Sequence, residues 1–333
     1  MIAAVGTCLL TGLAYDATGA VASGGSLTGA GSTLVAPLEA VWATEFERLY
    51  EDKVTYAAVG SGHGIAEISA RTVDFGASDA PFTSTQAAEC KGCVEIPWAL
   101  TGTGVAFNIK GVSKLKLSGA VLAQIYEGKI TKWNAKAITK LNPGTKLPDL
   151  TITTVHRSDG SGDTYAFTNF LSKISPTWAK KVGFATTVSF PGGVGAEGNA
   201  GVTAVTLKTN GAIAYIAASY ILAHKLDAAA VENAAGKFEF PNIKNIEAAA
   251  ETIKKVPANN EEHIVDPPKS ATIAYPISTF TYVLIPKEGA ELTLVKKFVK
   301  YALTEGQKYG TVLDFAPIPK VVLTAAEKTL GSL

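Results

Sequence analysis

Three short segments hold the residues best suited to chemistry. Gly29-Ala30-Gly31-Ser32-Thr33-Leu34 runs into an amphipathic stretch with Pro37 near its start. Gly60-Ser61-Gly62-His63-Gly64 follows a β-rich run, and Arg157-Ser158-Asp159-Gly160-Ser161-Gly162-Asp163-Thr164 follows another. Each reads as a turn that opens a helix. The first N–H groups of a helix lack internal partners. Small residues let an oxyanion approach them, and the helix dipole favours negative charge there. Ser and Thr hydroxyls add donors. For any one turn, ordinary N-capping explains the same residue types. Three turns of one chemistry point instead to a cage of neutral donors around a tetrahedral oxyanion.

The arginines sharpen this reading. The chain has 30 Lys and Arg, of which only Arg48, Arg71 and Arg157 are Arg. Arg presents a rigid fork that suits a phosphate or carboxylate. Arg157 lies in the richest of the three turns, and Asp159 is spaced to hold its guanidinium. Enzyme signatures fit worse. There is no G-x-x-x-x-G-K-[ST] loop, no G-x-G-x-x-G after a strand and no G-x-S-x-G elbow. His63 and His156 flank the turns, so a serine hydrolase stays open at this point.

The elements that must position these turns follow from periodicity. Helical spacing marks Pro37–Tyr50, Gly64–Arg71, Ser118–Glu127, Thr164–Ile174, Ile246–Lys255 and Leu292–Leu303. Strands are expected at Val54–Val59, Val73–Ala77, Leu150–Val155, Ala212–Ala217 and Phe280–Ile285. This alternation predicts an α/β protein with largely parallel sheets. Pro/Gly clusters at 191–201 and 257–268 punctuate the chain, but no linker separates two sequential halves. The chain is therefore expected to cross between domains more than once.

The N-terminal residues bear on compartment. Ile2–Ala14 is mostly apolar, and Gly19-Ala20-Val21-Ala22-Ser23 follows with small residues. Together they read as an export signal over residues 1–25. Val5-Gly6-Thr7-Cys8 is a poor lipobox, which leaves a lipid anchor through Cys8 as a second route. Cys90 and Cys93 form a lone C-x-x-C. In an exported chain it reads as a local disulfide, and the four scattered His argue against zinc.

At these residues the chain resembles the phosphate-binding proteins of bacterial phosphate ABC transporters, the PstS family. The matching segments are Leu27–Thr33, Val59–Ile65, Val73–Pro81, Ile130–Asn134 and Arg157–Thr164 leading into Phe167–Ser172. The Gly162-Asp163-Thr164 variant is similar to that of actinobacterial surface lipoproteins. The resemblance implies a two-lobed periplasmic-binding-protein fold of type II, with two hinge strands and the ligand in the cleft. Lobe one would be residues 26–102 and 277–333, and lobe two residues 103–276. Phosphate would meet Ser32, Thr33, the amide of Leu34, Ser61, Asp79, Arg157, Ser161, Gly162 and Asp163. Gly60, Gly62, Ser78, Asp159 and Thr164 would support them. Whether Asp163 uses its side chain or only its amide is open. The resemblance further implies no catalytic residue, metal or cofactor. It implies a monomer at the periplasmic or extracellular face of the membrane that delivers phosphate to a permease.

Charge and composition set the limits. With 30 Lys and Arg against 29 Asp and Glu the net charge is +1, so the basic surplus of a nucleic-acid binder is absent. Only 18% of residues are charged and 47% are hydrophobic, which excludes disorder. Apart from the N-terminal stretch, no apolar run reaches the ~18 residues of a membrane span. The alternatives are a receptor for molybdate, tungstate or sulfate, a secreted phosphatase on the same scaffold, or an adhesin that merely keeps the fold. An acid such as Asp79 argues against anions that carry no proton.

Overall fold

The computed structural model describes residues 24–333. The export segment at 1–25 therefore lies almost wholly outside the described residues, and Cys8 lies outside them entirely. The described residues open on β1 (Ser26–Gly31), which no periodicity marked, because three of its six residues are Gly or Ser. Helix α1 (Ala36–Tyr50) buries Leu38, Trp42 and Phe46. β2 (Lys53–Ala58), α2 (Ser61–Ala70) and β3 (Phe75–Ser78) follow. β1 lies between β2 and β3, parallel to both.

β4 (Cys93–Asn108) is the longest strand, at 16 residues, and it joins the two halves of the molecule. Its first part pairs antiparallel with β8 (Ser278–Pro286), from Cys93 opposite Pro286 to Gly102 opposite Ser278. From Thr103 to Asn108 it pairs instead with β7 (Ala212–Ala217), again antiparallel. β5 (Thr153–Arg157) runs parallel to β7 and to β6 (Val194–Ala196). The sheet order is thus β2-β1-β3-β8-β4-β7-β5-β6. The sheets are mixed rather than largely parallel as expected, because β8 and β4 carry the chain between the halves in opposite directions. β4 escaped the periodicity reading because it is buried on both faces. A strand covered on both sides has no alternation to detect.

Most other elements lie within three residues of expectation at their starts. The strand expected at Leu150–Val155 begins at Thr153, because Leu150–Ile152 are committed elsewhere. The Trp133 N–H donates to Leu150 O, and the Ile152 N–H to Thr131 O. The helix expected at Ile246–Lys255 occupies Ile243–Ala250, started by Asn242, whose Oδ1 accepts from the Asn245 N–H at 3.1 Å. α3 (Gly162–Ile174) begins two residues early, within the Gly/Ser turn itself. α4 (Gly198–Lys208) was hidden in the 191–201 Gly cluster.

One core gathers Trp42, Phe46, Phe75, Trp98 and Phe298, with the Trp42 and Trp98 rings 5.1 Å apart. Another contains Phe107, Trp133, Phe167, Phe170 and Tyr215. Cys90 and Cys93 are joined in a disulfide. Arg71 bonds the same loop, donating to Cys90 O at 2.7 Å and to Ile68 O at 2.6 Å. The three arginines therefore serve three ends: Arg48 pairs with Glu45 on the surface, Arg71 caps α2, and Arg157 is buried.

α2 sits directly on β1 and β3. A Cβ at Gly64 would lie 2.5 Å from Gly31 Cα and 2.7 Å from Ala77 O, both backbone. Neither neighbour is a flexible side chain that could yield. Gly64→Ala is expected to cost roughly 1–3 kcal/mol, the usual range for overpacking. Gly192→Ala, where nothing lies within 4 Å, serves as control. Urea unfolding checks both; equal midpoints for the two variants would refute the close-packing account.

Candidate functional site

The three Gly/Ser turns meet where the two lobes face each other. The Gly62 N–H donates to Gly160 O at 2.9 Å, and the Gly162 N–H to Ser61 Oγ at 3.1 Å. The turns can approach this closely because glycine lines the contact. A Cβ at Gly162 would lie 2.3 Å from Asp79 Cβ, and one at Gly60, whose φ is +93°, 2.4 Å from Asp159 Oδ2. Ser32, Thr33, Ser61, Asp79, Arg157, Ser161, Asp163 and Thr164 are all buried.

Asp79 follows β3 and sits between the first two turns. Ser32 Oγ donates to its Oδ1 at 2.6 Å, and Ser61 Oγ to its Oδ2 at 3.3 Å. Ser32 Oγ in turn accepts the N–H groups of Leu34 (3.0 Å) and Val35 (3.3 Å). The Leu34 amide is thus engaged by the turn itself. Burial, then the nearby Asp163 charge, push the Asp79 carboxyl up to about 7, against the opposing pull of Ser32, Arg157 and Ser61. Ser78 belongs to the turn rather than the cage, its Oγ donating to Ala80 O at 2.6 Å.

Arg157 ends β5, and its guanidinium is fixed from two sides. Nε donates to Asp159 Oδ1 at 2.7 Å, and Nη2 pairs with Asp159 Oδ2. Nη1 reaches Asp163 Oδ2 at 3.3 Å. Asp159 is itself tied to α4, accepting the Gly198 N–H at 3.0 Å. Burial would raise the Asp159 carboxyl, but its hydrogen bond to Arg157 and that residue's charge prevail and hold it below the usual range. Ser161 caps α3, accepting the Thr164 N–H at 3.3 Å, which leaves its own O–H free to donate. Capping and anion binding are thus compatible at this residue.

Asp163 is the deepest acid. Oδ1 accepts from Thr103 Oγ1 at 2.7 Å, and Oδ2 from Asn199 Nδ2 at 2.7 Å as well as from Arg157. Burial pushes its carboxyl up, and the Arg157 charge, Thr103 and Asn199 pull it back. Thr164 Oγ1 shares a 2.8 Å hydrogen bond with Tyr215 OH, which also accepts the Arg157 backbone N–H at 2.9 Å.

The histidines stand apart. His63 is exposed, with Nδ1 3.0 Å from Val59 O. His156 stacks on Phe190 at 4.4 Å, its Nδ1 3.1 Å from Arg157 O. Among the described residues neither is hydrogen-bonded to a serine. No three His, Cys, Asp or Glu side chains among the described residues are placed to hold a metal. No described helix is long and apolar enough to cross a membrane.

A family model, the PBP superfamily domain, matches residues 16–305. The chain is 38% identical over 298 residues to the phosphate-binding protein PstS of Xylella fastidiosa (strain Temecula1), covering 88% of this chain and 81% of that relative. It is 37% identical over 303 residues to PstS of Pasteurella multocida (strain Pm70), covering 90% and 88%. The chain belongs to the PstS family. Among solved structures, the phosphate-binding protein from Stenotrophomonas maltophilia superposes with a TM-score of 0.72 at 20% identity, over 91% of this chain and 93% of that one. That likeness concerns the fold, which is the two-lobed type II arrangement that the family resemblance implies.

In this PstS chain the sequence reading missed Thr103 and Asn199. Thr103 lies on β4, where the strand changes partners, and nothing in its neighbours suggests a polar role. Asn199 had a signal. Glu197-Gly198-Asn199-Ala200-Gly201 is a fourth small-residue turn opening a helix, but the Gly cluster was read as punctuation only.

Buried acids make folding stability depend on pH. Burial pushes Glu39 up to about 8, and Asp79 stands at about 7. Between the unfolded carboxylate range near 4 and these values, the folded chain holds more protons than the unfolded one. Stability is therefore greatest at low pH within that window and falls as pH rises through it. The ligand-free chain is expected to melt several degrees higher at pH 5.5 than at pH 8.0, with the difference reduced in Glu39→Gln. A melting temperature that rises across this interval would contradict the assignment.

Proposed function

We propose that this chain is an extracytoplasmic receptor that captures inorganic phosphate and hands it to an ABC-type permease. The observation that carries the reading is the cage itself. Hydroxyls of Ser32, Thr33, Ser61 and Ser161, the turn at Leu34, the helix start at Gly162, and the Arg157 fork converge around two buried acids, Asp79 and Asp163. Gly60, Gly62, Ser78, Asp159 and Thr164 shape the surrounding turns. The names of the relatives support the same ligand. In this reading the lobes are residues 26–102 with 277–333, and 103–276. The pairing switch of β4 between Gly102 and Thr103 supports the first boundary. The Thr103 N–H bond to Ile277 O at 2.9 Å supports the second. The protein acts as a monomer, without metal or cofactor, outside the cytoplasmic membrane. Closure of the lobes gives the permease a shape that reports the ligand.

Acids in an anion site select by proton count. Near neutral pH phosphate carries an O–H that a carboxylate accepts, whereas sulfate carries none. Facing sulfate, an ionised Asp79 would keep its bonds from Ser32 and Ser61 but meet lone pairs on the ligand side with no proton to accept, a loss of several kcal/mol when charge is involved. This disfavours receptors for sulfate, molybdate or tungstate. The phosphatase reading has no Ser–His bond among the described residues to support it.

Calorimetry at pH 8 should show tight phosphate binding and sulfate weaker by a factor of at least ~100, given a loss of several kcal/mol at ~1.4 kcal/mol per tenfold. Asp79→Asn should bring the two affinities together. Because the Asp79 carboxyl stands at about 7, it gains its own proton below that pH and can donate to sulfate. The phosphate-to-sulfate ratio should therefore shrink as pH falls from 8 to 5.5. No phosphate binding would refute the receptor reading; a ratio indifferent to pH and to Asp79→Asn would refute its selectivity mechanism.

A further inference from the structure

Asn199 is the residue of this region that makes the fullest use of its side chain. It is buried, at the start of α4 in lobe two. Nδ2 donates to Asp163 Oδ2 at 2.7 Å and to Thr33 Oγ1 at 3.0 Å. The Asn199 backbone N–H also donates to Thr33 Oγ1, at 3.3 Å. Oδ1 accepts the Ala217 N–H at 2.9 Å. Both amide hydrogens and the carbonyl are engaged, so the amide has one satisfying orientation. Thr33 belongs to lobe one and Asp163 to lobe two. One side chain therefore bonds an acid of its own lobe and a hydroxyl of the other.

Two consequences follow from donor counting. Thr33 Oγ1 accepts two hydrogen bonds from Asn199, so its own hydrogen is free to donate into the cage. Asp163 Oδ2 accepts from Asn199 and Arg157, so it is held as an acceptor. We propose that Asn199 is a positioning residue that sets the hydrogen-bond polarity of the cage, holding Asp163 of its own lobe as an acceptor and committing Thr33 to donate only when the lobes meet. The inference rests on the phosphate-receptor reading. It adds that the closed state is held by a cross-lobe latch which also orients the ligand-facing groups. Opening the lobes breaks the bonds to Thr33 and leaves a buried-type donor to find water. Asn199 thus couples closure to selectivity without touching the ligand.

The groups facing Asp163 are Arg157 and Asp159 from its own turn, Asp79 from lobe one, Tyr215 from β7, and Tyr220 from the helix Ala218–His224 that follows β7. Of the donors to its side chain, Asn199 and Thr103 are neutral. Loss of Asn199 leaves burial less opposed at this acid, so any titration of binding that reports it moves to higher pH.

The test is stopped-flow and calorimetric binding of inorganic phosphate to wild type, Asn199→Ala, Thr33→Val and the double variant, across pH 5.5 to 8.5. Asn199→Ala is expected to weaken phosphate binding at least tenfold, mostly through faster dissociation, and to shift the midpoint of the affinity profile to higher pH. In the Thr33→Val background, Asn199→Ala should accelerate dissociation by a smaller factor, because the cross-lobe acceptor is already gone. If wild type binds phosphate while Asn199→Ala matches it in off-rate and pH profile, the latch is refuted and the receptor reading stands. A loss of affinity with the same pH midpoint, additive with Thr33→Val, would also refute it, leaving Asn199 a packing residue. If wild type does not bind phosphate, the receptor reading fails first. Should Asn199→Ala not fold, Thr33→Val, altered only in lobe one, carries the test: unchanged dissociation would overturn the latch.

Discussion

Three carboxylates, Asp79, Asp159 and Asp163, and one guanidinium share a volume from which water is largely excluded, and most of the site is arranged to tolerate that. A buried charge survives only if it is paired and hydrogen-bonded. Arg157 is neutralised mainly by Asp159, through two hydrogen bonds, and touches Asp163 through a third. Asp163 has three donors and Asp79 two hydroxyl donors. The less well supplied acid, Asp79, is the one whose carboxyl is pushed to about neutrality. It is also the one positioned between the first two turns, where a proton supplied by a ligand would be most useful.

The fold supplies those donors by bringing helix starts from both lobes to one place. β1 and β3 end at Gly31 and Ser78, and each leads directly into a cage residue. β5 ends at Arg157 itself. Strand ends therefore set positions to within the rigidity of a sheet, and the turns that follow need only small residues to close. β4 makes the two sheets one continuous structure, with Thr103 at the switch between its partners. That threonine donates to Asp163, so the strand joining the lobes also touches the deepest charge between them. A polar side chain at this junction ties the geometry of the crossover to that of the cage.

Much of this was legible in the residues. The three Gly/Ser turns, the lone buried Arg157 and its partner Asp159 come together in the structure, and Asp79, which only the family resemblance pointed to, lies among them. Helix positions were legible because amphipathic helices carry a period. What escaped lacks any local signature. β1 is rich in Gly and Ser, and β4 is buried on both faces, so neither alternates. Thr103 is one threonine among many, and its role exists only because β4 carries it beneath α3. Asn199 sits at a fourth Gly-flanked helix start, but the surrounding Pro/Gly cluster reads as chain punctuation and hides it. In the structure its side chain caps nothing in α4 and reaches instead for Asp163 and Thr33.

The near-zero net charge now has a specific meaning. An anion receptor built on surplus Lys would draw every anion, since a basic field does not distinguish tetrahedral oxyanions of similar size. Among the described residues no Lys is ion-paired with a cage residue, and the one Arg there is already paired. The attraction that remains comes from dipoles: hydroxyls and helix-start N–H groups, which act at short range and only in fixed directions. Dipoles of this kind can be aimed, so a hydroxyl committed to donate by its other bonds cannot also serve as an acceptor. Selectivity by proton count requires that commitment at every position, because one freely rotating hydroxyl could rescue a ligand of the wrong protonation. Thr33, whose Oγ1 accepts two bonds from Asn199, meets that requirement toward the ligand; Ser32, which accepts from Leu34 and Val35, spends its hydrogen on Asp79, and Ser161, which accepts from Thr164, keeps its hydrogen for the cage.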